Sequence, residues 1–288
     1  MSIKKGILYV VGSPIGNLQD FSPRAQAILR QVDWIAAEDT RHSRKLLTHF
    51  NIDTPMQSLH EHNEHQFTVT LLEDLHMGKS VALLSDAGTP LISDPGSFLV
   101  QTAHAQGITV IPIPGACALT TALSVAGLPA DRFVFEGFLP PKSTARQHRL
   151  VELVKESRTL VFYEAPHRIL DCLQDLIAIF GNDRTAVLGK ELTKLFEQVY
   201  RDTLAGIYAW LTAQPERQQG EFVLVVQGVP FQVADKTINP EVAQIFNVLR
   251  QELPLKQAAK LTSILTGVSK NTLYTFGLES DRHLNECE

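Results

Sequence analysis

Short, wholly apolar runs recur through the first 115 positions, and each ends in a loop rich in glycine, proline and polar side chains. They are GILYVVG (6–12), WIAAE (34–38), SVALLS (80–85) and TVIPIPG (109–115). Runs this short and this uniformly apolar read as strands buried on both faces. Strands covered on both faces and separated by helical stretches imply a mostly parallel sheet. The intervening segments carry helix signals: Ser22 before Pro23 opens a helix over 22–32, and a second lies around 67–77. A third, over 98–106, stops at Gly107, and a fourth, of small apolar residues, spans 116–126.

The rhythm breaks at AGLPADRF (126–133) and then restarts. FVFEGFLP, a basic helix around 144–156, TLVFYE (159–164), a helix over 169–180, TAVLGKE (185–191), a helix over 204–212 and EFVLVVQG (221–228) make a second α/β set. Beyond Pro230 the chain turns helical. Ala258, Ala259, Leu261, Ile264 and Leu265 are expected to form one apolar face, with a turn at Gly267 and a further helix carrying Leu273, Tyr274 and Phe276. Two short helices around a glycine fit a helix-turn-helix and a plain helical hairpin equally well. The expected fold class is therefore α/β: two α/β/α domains with mostly parallel sheets, over 1–127 and 128–230, followed by a helical tail over 231–288.

A formal charge of −5 argues against indiscriminate nucleic-acid binding. It leaves room for a local basic face on TRHSRK (40–45) or PKSTARQHR (141–149), each of which reads as readily as solvated surface. Cys117, Cys172 and Cys287 are too far apart for a disulfide framework or a zinc pattern, and no apolar run is long enough for a membrane span or a signal-peptide core. A cytoplasmic location is expected.

In open parallel sheets ligands gather beyond the carboxyl ends of the strands, where this chain places GSPIGN (12–17), EDTRHSRK (38–45), SDAGTPLISDPG (85–96) and PGACALTTA (114–122). None is a dinucleotide or P-loop fingerprint. SDAGTPLISDPG has no lysine or arginine, and its Asp86 and Asp94 would repel a pyrophosphate. HEHNEH (60–65) lacks zinc-protease spacing, so no metal is expected. What fits is a neutral or cationic ligand held largely by backbone, its ribose hydroxyls, ammonium or sulfonium facing carboxylates. S-adenosylmethionine has these groups and no phosphate. Tight structural turns would explain the same residues.

The order of these motifs resembles the tetrapyrrole-methylase superfamily of S-adenosylmethionine-dependent methyltransferases. LYVVGSPIGNLQD, AAEDTRHSRKLL, HEHNE, LLSDAGTPLISDPG, FYEAPHRI, KELTKLFE and GEFVLVV look, in order, like its branch that 2′-O-methylates a cytidine ribose of 16S rRNA. Thr89 stands where the wider superfamily carries the aspartate of its "GDP" loop, so that carboxylate's role has no counterpart here. The resemblance implies a cofactor, S-adenosylmethionine, at the cleft between the two domains. Its contacts would be Ser85, Asp86, Gly88, Pro90, Ile92, Ser93 and Asp94 in the long loop, with Pro14, Gly115, Ala116, Tyr163, Glu164, Leu188 and Phe222 around it. It also implies a homodimer acting on 16S rRNA or the small ribosomal subunit, and no membrane partner.

Loss of the proton from a 2′-hydroxyl calls for a base. Glu38 and Asp39, at a strand end on the ligand side, are the first candidates, and Lys190 with Glu191 the second. An ion pair of Glu191 with Lys194 is the equally good structural reading. Arg41, Arg44 and Lys45 are expected phosphate contacts, with Arg146 and Arg149 on the other basic segment. Two rivals stay open: C-methylation of a tetrapyrrole, and a non-catalytic RNA-binding assembly factor.

Overall fold

The computed structural model describes residues 6–60, 62–230 and 238–285, the last five in backbone only. Glu61 and Cys287 lie outside the described residues. Gly6–Gly228 belong to one compact unit holding two five-stranded sheets, and the helical tail belongs to another.

The first sheet contains β1 (Ile7–Val11), β2 (Trp34–Ala37), β3 (Met56–Ser58), β4 (Val81–Leu84) and β5 (Thr109–Ile113), in the order β3-β2-β4-β1-β5. All of its pairings are parallel, as the uninterrupted apolar runs predict. Alternate residues of each strand feed two cores. Leu8, Trp34, Ala36, Val81 and Leu83 pack under α3 (Glu64–His76) and α4 (Ser97–Ala105). Val11, Ile35, Ala37, Ala82 and Leu84 pack under α1 (Pro23–Gln31) and α2 (Thr40–His49). Ser22 caps α1 as expected, its hydroxyl accepting from the Ala25 amide at 3.0 Å.

Helix α5 (Ala118–Ala126) follows β5 in the chain but is buried against the second sheet. Its Leu119, Ala122, Leu123 and Ala126 pack on Val161, Val187, Val223 and Val225. The second sheet runs β6 (Phe133–Phe138), β7 (Thr159–Glu164), β10 (Phe222–Val226), β8 (Thr185–Lys190), β9 (Gln198–Thr203). Its opposite face is covered by α6 (Ser143–Leu153), α7 (Ile169–Phe180) and α8 (Leu204–Thr212).

The α/β class holds, and the expectation of a mostly parallel second sheet is corrected. Only β6 and β7 run parallel; β7–β10, β10–β8 and β8–β9 are antiparallel. A strand buried on both faces has the same apolar pattern in either direction, so its orientation leaves no trace in the sequence.

The tail packs α9 (Pro240–Glu252), α10 (Leu255–Thr266) and α11 (Lys270–Asn285) around Val242, Phe246, Ala258, Ala259, Val268 and Leu273. Gly267, at φ 74°, ends α10 and a three-residue turn leads into α11. The expected apolar face of α10 is corrected in part. Ala258 and Ala259 are buried together with Thr262, whereas Leu261, Ile264 and Leu265 are exposed.

Candidate active site

The order of the first sheet brings the carboxyl ends of β2, β4 and β1 side by side. β1 and β5 end so close together that a Cβ on Gly12 or on Gly115 would lie 2.7 Å from the other's Cα. No side chain fits there.

The loop after β4 is bound to the end of β1. Ser13 donates its amide to the Gly88 carbonyl at 2.8 Å, and its hydroxyl faces the Ser85 and Gly88 carbonyls at 3.3 Å. Thr89 donates to the Ala116 carbonyl at 3.2 Å. Within this loop Gly88, Leu91, Ser93 and Gly96 all have positive φ. For Leu91 (74°) and Ser93 (67°) that conformation costs about 1–2 kcal/mol each, so tertiary contacts hold the loop in shape.

This loop and the ends of β7 and β10 in the second sheet line a cavity of 470 Å³, a size that suits a nucleoside-sized ligand. Of the expected cofactor contacts, Asp86, Gly88, Ile92, Ser93 and Asp94 line one side, and Tyr163, Glu164 and Phe222 the other; Glu38 joins them from the end of β2. Tyr163 is fixed by its hydroxyl, which accepts from the Leu119 amide at 2.9 Å, and by edge-on contacts with Phe135 and Phe138.

The lining includes five carboxylates and no lysine or arginine among the described residues. Two are matched from outside: Glu164 by Arg168 at 3.1 Å and Glu221 by Lys194 at 2.9 Å. Glu38, Asp86 and Asp94 have no such partner among the described residues. Burial raises the Glu38 carboxyl above its ordinary range, and the Asp86 and Asp39 charges add to this against the Asp86 amide and His42. Burial likewise pushes Asp94 up to about 6, helped by Glu38 and Asp86 and opposed by a hydrogen bond from Ser85. The Oδ2 atom of Asp94 is buried without a hydrogen-bond partner. Unmatched negative charge in a half-buried cavity repels phosphate and favours a cation.

Other expected contacts stand behind the wall. Ser85 and Ala116 shape it through backbone carbonyls, and Pro14 and Pro90 are buried beneath it. Gly115 serves the close approach to Gly12. Leu188 is corrected: it points into the core under α7 and α8, while its neighbour Val187 faces α5. Adjacent residues of a strand face opposite ways, so one position of parity decides this.

Asp39 is also corrected as a base. It caps α2 by accepting from the Arg41 amide at 2.8 Å, and the Arg41 guanidinium, 2.9 Å away, holds its carboxyl at about 2. Lys190 and Glu191 line a neighbouring groove, not this cavity. Glu191 accepts from Lys194 at 2.8 Å and from the Glu221 amide at 2.8 Å, the ion pair that its three-residue spacing allows.

Of the expected RNA contacts, Arg41, Arg44 and Lys45 are exposed on α2, a helix where the sequence suggested a polar loop. Arg146 is corrected: it is 2% exposed, with Nε 2.6 Å from Asp175 Oδ2. Burial opposes the Asp175 charge, yet hydrogen bonds from Gln147, Arg146 and Ser143 outweigh it and lower the carboxyl. Arg149 forms a two-pronged pair with Glu136 at 2.8 and 2.9 Å, which spends its charge locally.

Sequence reasoning missed Ile15, Cys117, Phe138 and His167, all of which line the cavity. His167 and Cys117 sit in loops already picked out, YEAPHR and PGACALTTA, but nothing in their spacing distinguishes lining from support.

Residues 7–208 match the family model of tetrapyrrole (corrin/porphyrin) methylases, and residues 236–281 match that of the RsmI C-terminal HTH domain. The chain is 51% identical to ribosomal RNA small subunit methyltransferase I of Pseudomonas aeruginosa, over 95% of this chain and 97% of that one. Solved structures share the fold at lower identity. A cobalt precorrin-4 methyltransferase superposes with a TM-score of 0.57 at 14% identity, over 77% of this chain and 94% of that one. Uroporphyrin-III C-methyltransferase of Thermus thermophilus, complexed with S-adenyl homocysteine, superposes with a TM-score of 0.51 at 16% identity, over 77% and 97%. The two sheets, the loops at their shared edge and the helical tail thus come together in one assignment: this chain belongs to the tetrapyrrole methylase family, in its ribosomal RNA small subunit methyltransferase I branch.

Proposed function

We propose that the chain binds S-adenosylmethionine in the 470 Å³ cavity and methylates the 2′-hydroxyl of a cytidine ribose in 16S rRNA of the small ribosomal subunit. The observation that carries this reading is the phosphate-hostile wall of Glu38, Asp86 and Asp94, in a chain half identical to rRNA small subunit methyltransferase I. The residues fit the ligand. Carboxylates face its cationic and ribose groups, the orphaned Asp94 oxygen offers an unused acceptor, and Tyr163, Phe138 and Ile92 supply apolar surface.

S-adenosylmethionine supplies a methyl group already activated by the positive sulfur. The protein's contribution is then positioning and exclusion of water. Glu38, with its raised carboxyl at the end of β2, is the better placed of the two first base candidates. Arg44 and Lys45 on α2 would hold RNA phosphates nearby, and the tail would add a second RNA contact. The reading includes a homodimer, consistent with Leu195 and Phe196 at 90% and 70% exposure, and a cytoplasmic location, consistent with the free thiols of Cys117 and Cys172. Among the described residues no helix is long and apolar enough to cross a membrane.

The test is methyl transfer from labelled S-adenosylmethionine to small subunits from cells lacking the protein, followed by mass mapping of the nucleotides. A ribose-methylated cytidine in 16S rRNA is expected. Methyl groups on a base, or on a tetrapyrrole alone, would overturn the reading.

A further inference from the structure

Three carboxylates from two chain segments converge on the first-sheet wall of the cavity: Glu38 after β2, and Asp86 and Asp94 from the near and far limbs of the loop after β4. Backbone amides join two of them. Asp86 Oδ1 accepts from the Asp39 amide at 3.1 Å, and Glu38 Oε2 accepts from the Asp86 amide at 3.4 Å. Among the described residues no lysine or arginine pairs with any of the three, and His42 eases the Glu38 charge only slightly. The facing groups supply no compensation. Tyr163 and Cys117 are neutral when protonated, Glu164 and Glu221 are matched by Arg168 and Lys194, and His167 stands exposed at the rim. Asp94 is where the mismatch is greatest, because its buried Oδ2 has no hydrogen-bond partner.

Such a site reaches balance either by holding a proton or by holding a cation. Resting on the function proposed above, we propose that Asp94 exchanges its proton against the positive charge of the methyl donor. It is protonated in the free protein at mildly acid pH and ionises when a sulfonium ligand enters. It takes up a proton again once methyl transfer has removed that charge. The charges balance. As the substrate oxygen bonds to the methyl carbon, the carbon–sulfur electron pair stays on sulfur, one positive charge disappears, and the hydroxyl releases one proton. With the cation gone, Asp94 returns to the state in which it binds that proton. The burial that lifts its carboxyl to about 6 places the exchange within reach of measurement.

The experiment is calorimetric titration of the full chain at pH 6 and pH 8, in buffers of different ionisation enthalpy, with S-adenosylmethionine and with S-adenosylhomocysteine. The two ligands differ in charge only at sulfur. At pH 6 S-adenosylmethionine is expected to release about half a proton, falling toward none at pH 8, and its affinity is expected to drop by up to about tenfold per pH unit below 6. S-adenosylhomocysteine is expected to release none. Asp94→Asn, checked for an intact melting transition, is expected to abolish the release. Equal proton counts for the two ligands in the unaltered protein would overturn the proposal without any variant, as would a release that survives in a folded Asp94→Asn protein. Failure to bind either ligand would instead bring down the methyltransferase reading itself.

Discussion

The Tyr163 hydroxyl accepts the Leu119 amide at 2.9 Å, so a residue near the carboxyl end of β7, an inner strand of the second sheet, caps the first turn of α5, the helix that leaves the first sheet. Tyr163→Phe removes the acceptor and leaves that amide unpaired. We expect a stability loss of about 1–2 kcal/mol in urea denaturation, together with weaker binding of S-adenosylhomocysteine by calorimetry. Unchanged affinity would place Tyr163 outside the ligand's reach.

Asp94 also bears on stability. Its folded value of about 6 lies above the unfolded one, so between roughly pH 4 and pH 6 the folded state holds the extra proton, and stability falls as pH rises through that window. Asp94→Asn escapes this loss. After allowance for solvent screening, the variant should exceed the unaltered protein by about 1–2 kcal/mol at pH 7.5 and by much less at pH 4. Urea midpoints at the two pH values test this, and a gap that does not widen with pH contradicts it.

Two arginines from the two basic segments should behave oppositely. Arg146→Ala removes the one cation beside the buried Asp175 carboxylate, leaving it the Ser143 and Gln147 hydrogen bonds, and should cost about 3 kcal/mol of stability. Arg44→Ala, on the exposed face of α2, should leave the melting temperature unchanged and lower RNA affinity. Its slope of log affinity against log salt should shrink by about 0.7. Filter binding across a salt series measures it.

At the closest approach of β1 and β5, Gly12→Ala would place a methyl carbon 2.7 Å from the Gly115 Cα. Both positions are backbone and neither side can yield cheaply. We expect several kcal/mol of destabilisation, with little soluble protein recovered.

The first sheet was legible because its long strands are apolar throughout, and that follows from cover on both faces. The edge strands β3 (MQS) and β9 (QVYRDT) were not, since both carry polar residues, whereas β5 (TVIPI) and β6 (FVFEGF), also at sheet edges, keep an apolar run. Loop 85–96 announced itself by composition, yet the spacing of its residues does not reveal which carboxylate goes unmatched. Arg168 and Lys194 answer Glu164 and Glu221, and of the three carboxylates left over Asp94 is set apart by its buried, partnerless Oδ2, which only the folded arrangement creates. Asp39 shows the reverse. An acidic residue at a strand end suggests chemistry, but the same residue opens a helix, and there the cap and Arg41 claim its oxygens.

Helix α5 has a bearing on how such a protein can be divided. By chain order it closes the first sheet's series, and by burial it roofs Val161, Val187, Val223 and Val225 of the second. A cut between Gly127 and Leu128 would send the roof away with the wrong half, leaving four valines open to water and the first half carrying an apolar helix with nothing beneath it. The two sheets therefore cannot be traded as independent modules. Any recombination that preserves solubility must break the chain before α5 or move both sheets together.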